Sequence, residues 1–171
     1  MRHSWLLSLA AILFLAQSGD ALAGRDREMP PDVPPLYYEE CGACHTAYPP
    51  SLLPSSSWRR IMGGLTSHYG VDAALDGPDA TQELQTWLLR HAGTYKRVTE
   101  APAEDRITRS AWFERKHRKI DAEVWRLPSV KTPANCDACH TDTREGRFSD
   151  HALRVPEGLS LLQRRAWFKL K

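Results

Sequence analysis

All four cysteines of this 171-residue chain occur in two copies of one pentapeptide pattern, Cys-x-x-Cys-His. The copies are residues 41–45 and 136–140, and their cysteines and histidines are Cys41, Cys44, His45, Cys136, Cys139 and His140. Three residues of separation place the two thiols of each copy about one helical turn apart, on one side of the chain. Two such thiols can form thioethers with the vinyl groups on one edge of a porphyrin, and the next residue can bind its iron. The pattern is the attachment signal for c-type haem.

Three other uses of paired cysteines compete with haem attachment: two disulfides, a thioredoxin-like redox pair and a zinc site. Disulfides would leave the histidine after each cysteine pair unexplained. A thioredoxin-like site requires a surrounding βαβ pattern, which neither copy has. Since each copy uses its own cysteines, no spare thiols remain for zinc. We therefore predict two covalently bound haem c groups.

The N-terminus has the three-part plan of a secretory signal peptide. Residues 1–3 give a short positive start, residues 5–16 form an apolar run broken only by Ser8, and residues 21–23 (Ala-Leu-Ala) form a small-residue cleavage site. An uncleaved anchor is the alternative, but the apolar run is well short of the ~20 residues that cross a bilayer. We predict a cleaved signal peptide over residues 1–23 and an exported, periplasmic protein.

Charge and hydropathy narrow the remaining function classes. The formal net charge of +2 at pH 7 argues against a dedicated nucleic-acid surface. The mean hydropathy of −0.50 is low for a folded chain of this length. Side chains alone therefore build only a modest core, and something else has to fill it.

The residue on the second axial face of each iron decides between an electron carrier and an open site for chemistry. A methionine there raises the reduction potential, whereas a second histidine should leave it lower. Apart from the motif histidines and the signal peptide, the candidates are His68, His91, His117, His151, Met29 and Met62.

His68 continues an apolar stripe. Pro54 and the serines after it predict a helix start, and four apolar residues then recur at helical spacing: Trp58, Ile61, Met62 and Leu65. His68 follows three residues later, before Tyr69 and Gly70 end the helix. A hydrogen-bonded core histidine is the alternative, but a haem must lie nearby, so we favour ligation. Met62 is predicted to be core packing.

His117 lies on a comparable face, with Phe113, Ile120 and Val124 at helical spacing and charged residues at the positions between them. It precedes Cys136 by 19 residues. This placement suits a ligand of the second iron.

His91 and His151 are the weaker candidates. His91 follows Leu84, Trp87 and Leu88 on an apolar face, where it can compete with His68 or stack beside a haem. His151 follows a polar stretch and is predicted to be solvated. We predict that neither ligates iron.

These residues resemble the dihaem cytochrome c family of bacterial periplasmic electron carriers. The segments that carry the resemblance are residues 41–54, 57–58, 65–76, 107–117, 135–140 and 146–148. The resemblance implies bis-histidine haems, with His45 and His68 on the first iron and His140 and His117 on the second. Two features depart from the family pattern: His91 stands where a non-ligating residue is expected, and residues 159–171 extend past the usual end.

The same resemblance implies a mostly helical fold and electron exchange with other redox proteins. Oxygen-binding monohaem cytochromes and membrane quinol-oxidising or oxidase complexes are the kinds of partner that it suggests. We predict a periplasmic electron carrier that is not an enzyme. The alternative is a haem reductase or peroxidase with one open iron, which a displaceable sixth ligand would identify. A gas or redox sensor would require a signalling module, for which the chain has no room.

We predict an all-α fold in which two haem-binding segments pack together, with irregular loops. The predicted divisions are an exposed lead-in (24–35), a first haem segment (36–95), a linker (96–105), a second haem segment (106–156) and a tail (157–171). The motif precedes its partner histidine in the first segment and follows it in the second, so the segments are not a tandem repeat. The tail places Leu159, Leu162, Ala166 and Leu170 near helical spacing, which predicts an amphipathic helix docked on the body. Contact with a membrane or a partner is the alternative.

Overall fold

The computed structural model describes residues 28–94, 98 and 100–168. The predicted signal peptide, the first four residues of the lead-in, parts of the linker and Leu170 of the tail lie outside the described residues. Five α-helices are present in this part of the chain: α1 (Pro35–Glu40), α2 (Ser55–Gly63), α3 (Pro78–Arg90), α4 (Ala111–His117) and α5 (Leu161–Phe168).

Short 3₁₀ turns connect the helices. They are Pro50–Leu52, Leu65–Ser67, Ala103–Asp105, Ile107–Arg109, Val124–Arg126, Cys136–Ala138 and Thr143–Glu145. The described residues contain isolated β-bridges but no strand. The predicted all-α class is confirmed. No helix among the described residues has the length and apolar character needed to cross a bilayer.

The larger core lies in the first half of the chain, between α2 and α3. Leu84, Trp87 and Leu88 form the buried face of α3 and pack with Trp58 and Met62 of α2. The spacing of the three α3 residues by three and four positions explains why one side of this helix is buried. Removing such apolar surface from water is the main force that holds α2 and α3 together.

The second half has a smaller core. Its buried members are Val124, Val130, Leu159 and Trp167. Leu159 and Trp167 belong to the tail, whose helix α5 therefore packs on the body of the protein. Leu162 was predicted to lie on the buried face but is 77% exposed. Trp167 is the residue of α5 that is buried in this core instead, because an indole has a larger apolar surface to bury than a leucine side chain.

Two predicted helices end earlier than their apolar patterns suggested. Helix α2 ends at Gly63, and a 3₁₀ turn over Leu65–Ser67 then leads to His68. Helix α4 ends at His117 itself, so Ile120 and Val124 do not share its face. They pack instead in the core of the second half. In both cases the apolar residues are buried or partly buried, but the chain turns between them.

The lead-in is more tightly held than predicted. Met29 is 4% exposed and belongs to the first core. The backbone N–H groups of Glu28 and Met29 donate to the carbonyl oxygen of Gly146, at 2.8 and 3.3 Å. Gly146 has a φ of 71°, and a Cβ there would overlap the side chain of Met29. The lead-in thus ties the two halves together.

Candidate haem-binding sites

The first attachment motif begins where α1 ends. The N–H of Cys41 donates to the carbonyl oxygen of Tyr37 at 3.0 Å, which makes Cys41 the C-cap of the helix. A Cβ at Gly42 would overlap the carbonyl oxygen of Tyr38, so the motif requires glycine at this position. Tyr37 anchors α1 because its ring is 2% exposed and lies 4.7 Å from the ring of Trp87.

The first motif histidine faces the predicted sixth ligand. The ring centroids of His45 and His68 lie 6.3 Å apart, with an angle of 28° between the ring planes. With metal–nitrogen bonds of about 2 Å, two imidazoles on opposite faces of one metal bring their centroids to about 6 Å. The separation of His45 and His68 therefore has the length that one iron between them requires.

The second attachment motif lies on a 3₁₀ turn that is held from two sides. Residues 139–141 pair through their backbone with residues 152–154, including the N–H of Arg154 to the carbonyl oxygen of Cys139 at 2.8 Å. The hydroxyl of Thr143, which is buried, donates to the carboxylate of Asp137 within the motif. These hydrogen bonds stabilise the attachment motif, whose own regular structure is a single 3₁₀ turn over Cys136–Ala138.

The second histidine pair has the same separation as the first. The ring centroids of His117 and His140 lie 6.3 Å apart, but the angle between the ring planes is 76°. His117 is the last residue of α4, a helix that starts at Ser110, whose hydroxyl oxygen accepts the N–H of Phe113 at 3.1 Å. The cap fixes the start of the helix and hence the direction in which His117 points.

Three of the four paired histidines have a backbone partner for Nδ1. The Nδ1–H of His45 donates to Thr46 O at 2.7 Å, that of His117 to Phe113 O at 2.9 Å, and that of His140 to Ser149 O at 3.3 Å. A proton held at Nδ1 leaves the lone pair on Nε2 free for a metal, and the bond orients the ring. All three partners are backbone carbonyl oxygens.

Burial sets the protonation of the site residues. It lowers the pKa of His68, His117 and His140, so these rings are neutral at pH 7, the form that binds a metal. Burial, followed by the nearby carboxylate of Glu40, raises the pKa of Cys41 to about 11. Burial, followed by the carboxylate of Asp137, raises the pKa of Cys136 to about 12. Before haem attachment both are therefore neutral thiols, which are poor nucleophiles for disulfide exchange.

The other candidate ligands are not paired with a motif histidine. His91 caps the end of α3, and its Nε2 lies 3.0 Å from a carboxylate oxygen of Asp32 in the lead-in. His151 is exposed, and its nearest acidic group is the adjacent Asp150. Met62 is buried in the first core. That none of the three binds iron stays a prediction.

Aromatic side chains that the sequence analysis had not singled out as site residues line both pairs. Tyr48 stacks on His45 with centroids 4.8 Å apart and an angle of 18°. Phe113 stacks on His117 at 4.0 Å, and Phe148 lies 6.2 Å from His140. For Tyr48 and Phe113 the spacing along the chain indicates proximity to a histidine, because Tyr48 follows His45 by three residues and Phe113 precedes His117 by four.

The residues present fit two haem c groups. Each site combines free cysteines, an adjacent histidine and a second imidazole at the separation that one iron requires. The aromatic rings beside the histidines would give each haem an apolar surrounding.

Comparisons with known proteins agree with this geometry. Residues 37–148 match the family described as Dihaem cytochrome c. A diheme cytochrome c from Rhodobacter sphaeroides is 34% identical; the match covers 68% of this chain and 98% of that chain, with a TM-score of 0.61. A diheme cytochrome type c from Shewanella baltica OS155 is also 34% identical, with 73% and 96% covered and a TM-score of 0.63. A comparison with curated proteins found no match.

The family match spans well over half of the chain, and both solved structures are covered almost completely. The predicted family and cofactors are thereby confirmed. The chain belongs to the dihaem cytochrome c family and binds two haem c groups covalently.

Proposed function

We propose that this haem-binding cytochrome is a periplasmic electron carrier in which both irons are six-coordinate and low-spin. His45 and His68 bind the first iron, and His140 and His117 bind the second. The observation that carries the proposal is the 6.3 Å separation in both histidine pairs. With two imidazoles per iron, neither site has an open position for a substrate, which favours a carrier over an enzyme.

Haem c supplies a one-electron Fe(III)/Fe(II) couple when bound. The protein residues hold the imidazoles in place and tune the couple. The Nδ1–H bonds to Thr46, Phe113 and Ser149 make the ligating nitrogens more basic, which stabilises Fe(III) and lowers the reduction potential. Burial by the aromatic rings has the opposite effect, because a low-dielectric surrounding disfavours the more highly charged ferric state.

Exposed charges near the second site suit a transient partner. Helix α4 and the residues after it expose Arg115, Lys116, Arg118 and Lys119 around His117. A basic face next to a haem attracts an acidic surface on a redox partner and speeds the encounter at low salt. The partners that we propose are monohaem cytochromes and membrane quinol-oxidising or oxidase complexes, reached after export through the signal peptide. Nucleic acid is not a proposed partner.

The test is to purify the full-length gene product from the periplasm of a host that matures c-type cytochromes. We expect two haems c per chain in a pyridine haemochrome assay, low-spin spectra in both redox states and no rapid binding of carbon monoxide to the reduced protein. Mass spectrometry of the product reports whether residues 1–23 have been removed.

Two outcomes contradict the proposal. A colourless product, or one that holds a single haem, would exclude the dihaem sites. Rapid binding of carbon monoxide to one haem of the unaltered protein would instead favour the enzyme alternative with one open iron.

A further inference from the structure

We propose that Tyr48 is a positioning residue that couples the two haem sites, because it joins the ligand His45 of the first site to the attachment segment of the second. This inference rests on the proposed function and deepens it, since it assigns a route by which an electron crosses the protein. In the crossing one iron is oxidised and the other is reduced by one electron. No bond forms or breaks, and the phenol keeps its proton.

Tyr48 contacts both sites at once. Its ring stacks on His45 at a centroid distance of 4.8 Å and an angle of 18°. Its hydroxyl donates to the carbonyl oxygen of Ala134, 86 residues away in the chain, at 2.7 Å. The two ends of one side chain thus touch the ligand of one site and the segment that enters the other.

The acceptor of this hydrogen bond also contacts the second attachment motif. The carbonyl oxygen of Ala134 accepts the backbone N–H of Cys136 at 3.1 Å, and the Sγ of Cys136 lies 3.7 Å from it. Cys136 is the first attachment cysteine of the second haem. A connected path therefore runs from His45 through Tyr48 and Ala134 to Cys136.

Tyr48 is held in this position by the core. Its carbonyl oxygen accepts the hydroxyl of Tyr37 at 2.6 Å, and Tyr37 is 2% exposed. Pro49 and Pro50, which follow Tyr48, are fully buried.

The physical reason that such a path matters is the distance dependence of electron tunnelling. Electronic coupling decays less steeply through covalent bonds, hydrogen bonds and packed rings than through empty space. A side chain that stacks on one ligand and hydrogen-bonds beside the other attachment point increases the coupling between the two irons. It also fixes the distance between the two halves, because the hydrogen bond crosses their boundary.

Tyr69 offers a matched control. Its ring lies 4.7 Å from His68, the other ligand of the first site, and its hydroxyl donates to the carbonyl oxygens of Glu104 and Asp105 at 3.0 and 3.2 Å. Tyr69 therefore has the same chemistry as Tyr48, an aromatic contact with a ligand and a hydroxyl on a backbone carbonyl. It differs in making no contact with the second attachment motif.

The experiment compares Tyr48→Phe and Tyr69→Phe in the haem-loaded, full-length protein. Flash photoreduction delivers one electron per molecule, and the redistribution between the two haems is followed by absorbance. Spectroelectrochemistry gives both potentials in parallel. We expect Tyr48→Phe to slow the redistribution several-fold at unchanged potentials, and Tyr69→Phe to match the unaltered protein. Tyr48→Leu, which also removes the ring from His45, is expected to slow it further and to shift the first potential.

Each outcome has one meaning. An unchanged rate in Tyr48→Phe, or an equal slowing in Tyr69→Phe, overturns the inference. Fewer than two haems in the unaltered protein contradicts the proposed function instead. Tyr48→Phe retains the ring and its stack on His45, so we expect this variant to fold. Two haems per chain and an unfolding midpoint near that of the unaltered protein are the controls for folding.

Discussion

The two haem sites share one separation between their histidines but are built differently. The first lies beside a helical core, with α1 leading into its motif and α2 leading towards His68. The second rests on one seven-residue helix, several 3₁₀ turns and a tail that completes a core of four buried residues. The ring planes meet at 28° in the first pair and at 76° in the second.

The difference shows that the separation of two paired imidazoles and the angle between their planes vary independently. Any fold that places two imidazoles across one iron satisfies the bond lengths, because rotation about the metal–nitrogen bond leaves them unchanged. We attribute the rotation to the Nδ1–H partners of His45, His117 and His140 and to the aromatic side chains that pack on the rings. Four predictions test how far the two sites differ.

The largest effect is expected from removing one sixth ligand at a time. Near-parallel imidazoles separate the iron orbitals and favour a rhombic low-spin EPR signal, whereas near-perpendicular ones favour a signal with a large maximum g value. His68→Ala should abolish the rhombic signal and His117→Ala the other, and each should create one high-spin haem that binds carbon monoxide and has a raised potential. His91→Ala is the control and should keep both signals. Loss of the same signal in both ligand variants would refute the pairing.

Trp167→Ala should destabilise the second half strongly. The truncation of a buried tryptophan costs about 3–5 kcal/mol, and Trp167 is one of the four buried members of the second core among the described residues. Urea unfolding followed by haem absorbance measures the loss, and the EPR signal of the second haem should broaden while that of the first persists. Leu161→Ala on the same helix is a matched control, because Leu161 is 80% exposed. Equal effects of the two substitutions would show that the tail does not support the second site.

Ser110→Ala should cost about 1 kcal/mol, the usual value of an N-cap hydrogen bond. The change removes the acceptor for the N–H of Phe113 and loosens the short helix that carries His117. Thermal unfolding measures the loss, and the second potential should shift while the first stays constant. Ser56→Ala, at an exposed position on α2, is the control for the same substitution without a cap. A shift of the first potential alone would contradict this role.

The smallest effect concerns pH. The hydrogen bond from Arg60 lowers the pKa of Asp105, beside the first site, and bonds from Thr141 and Arg147 lower that of Asp142, beside the second. A lowered pKa in the folded state adds stability above the unfolded pKa of about 4, and this stability is lost as the pH falls through the folded value. Asp105→Asn should therefore destabilise the protein at pH 7 and match the unaltered protein in acid.

Asp142→Asn provides the comparison for this effect. The Asp142 side chain is 33% exposed, against 14% for Asp105, so solvent screens its ion pair more strongly. Urea midpoints measured from pH 7 downwards should show the larger neutral-pH loss for Asp105→Asn. A difference from the unaltered protein that grows in acid would have the wrong sign for either pair.

The amino-acid sequence was sufficient to predict the haem chemistry, the family and the all-α class. The attachment motif is local, because thioether formation requires two cysteines and a histidine within five residues. The stripe that ends at His68 and the face that holds His117 identified the residues that the fold later brought opposite the motif histidines. The fold brings His68 and His117 opposite the motif histidines although α2 and α4 end earlier than their apolar patterns predict.

Three features required the folded structure: the carbonyls that accept the Nδ1–H of His45, His117 and His140, the angles at which the paired rings meet, and the contacts that join the two halves. His91 shows why: its apolar neighbours resemble those of a ligand, but its ring is turned to Asp32, 59 residues earlier. Tyr48 and Ala134 are 86 residues apart and carry no pattern that relates them. Such contacts depend on the packing of distant segments, and sequence periodicity reports only which face of a local element is buried.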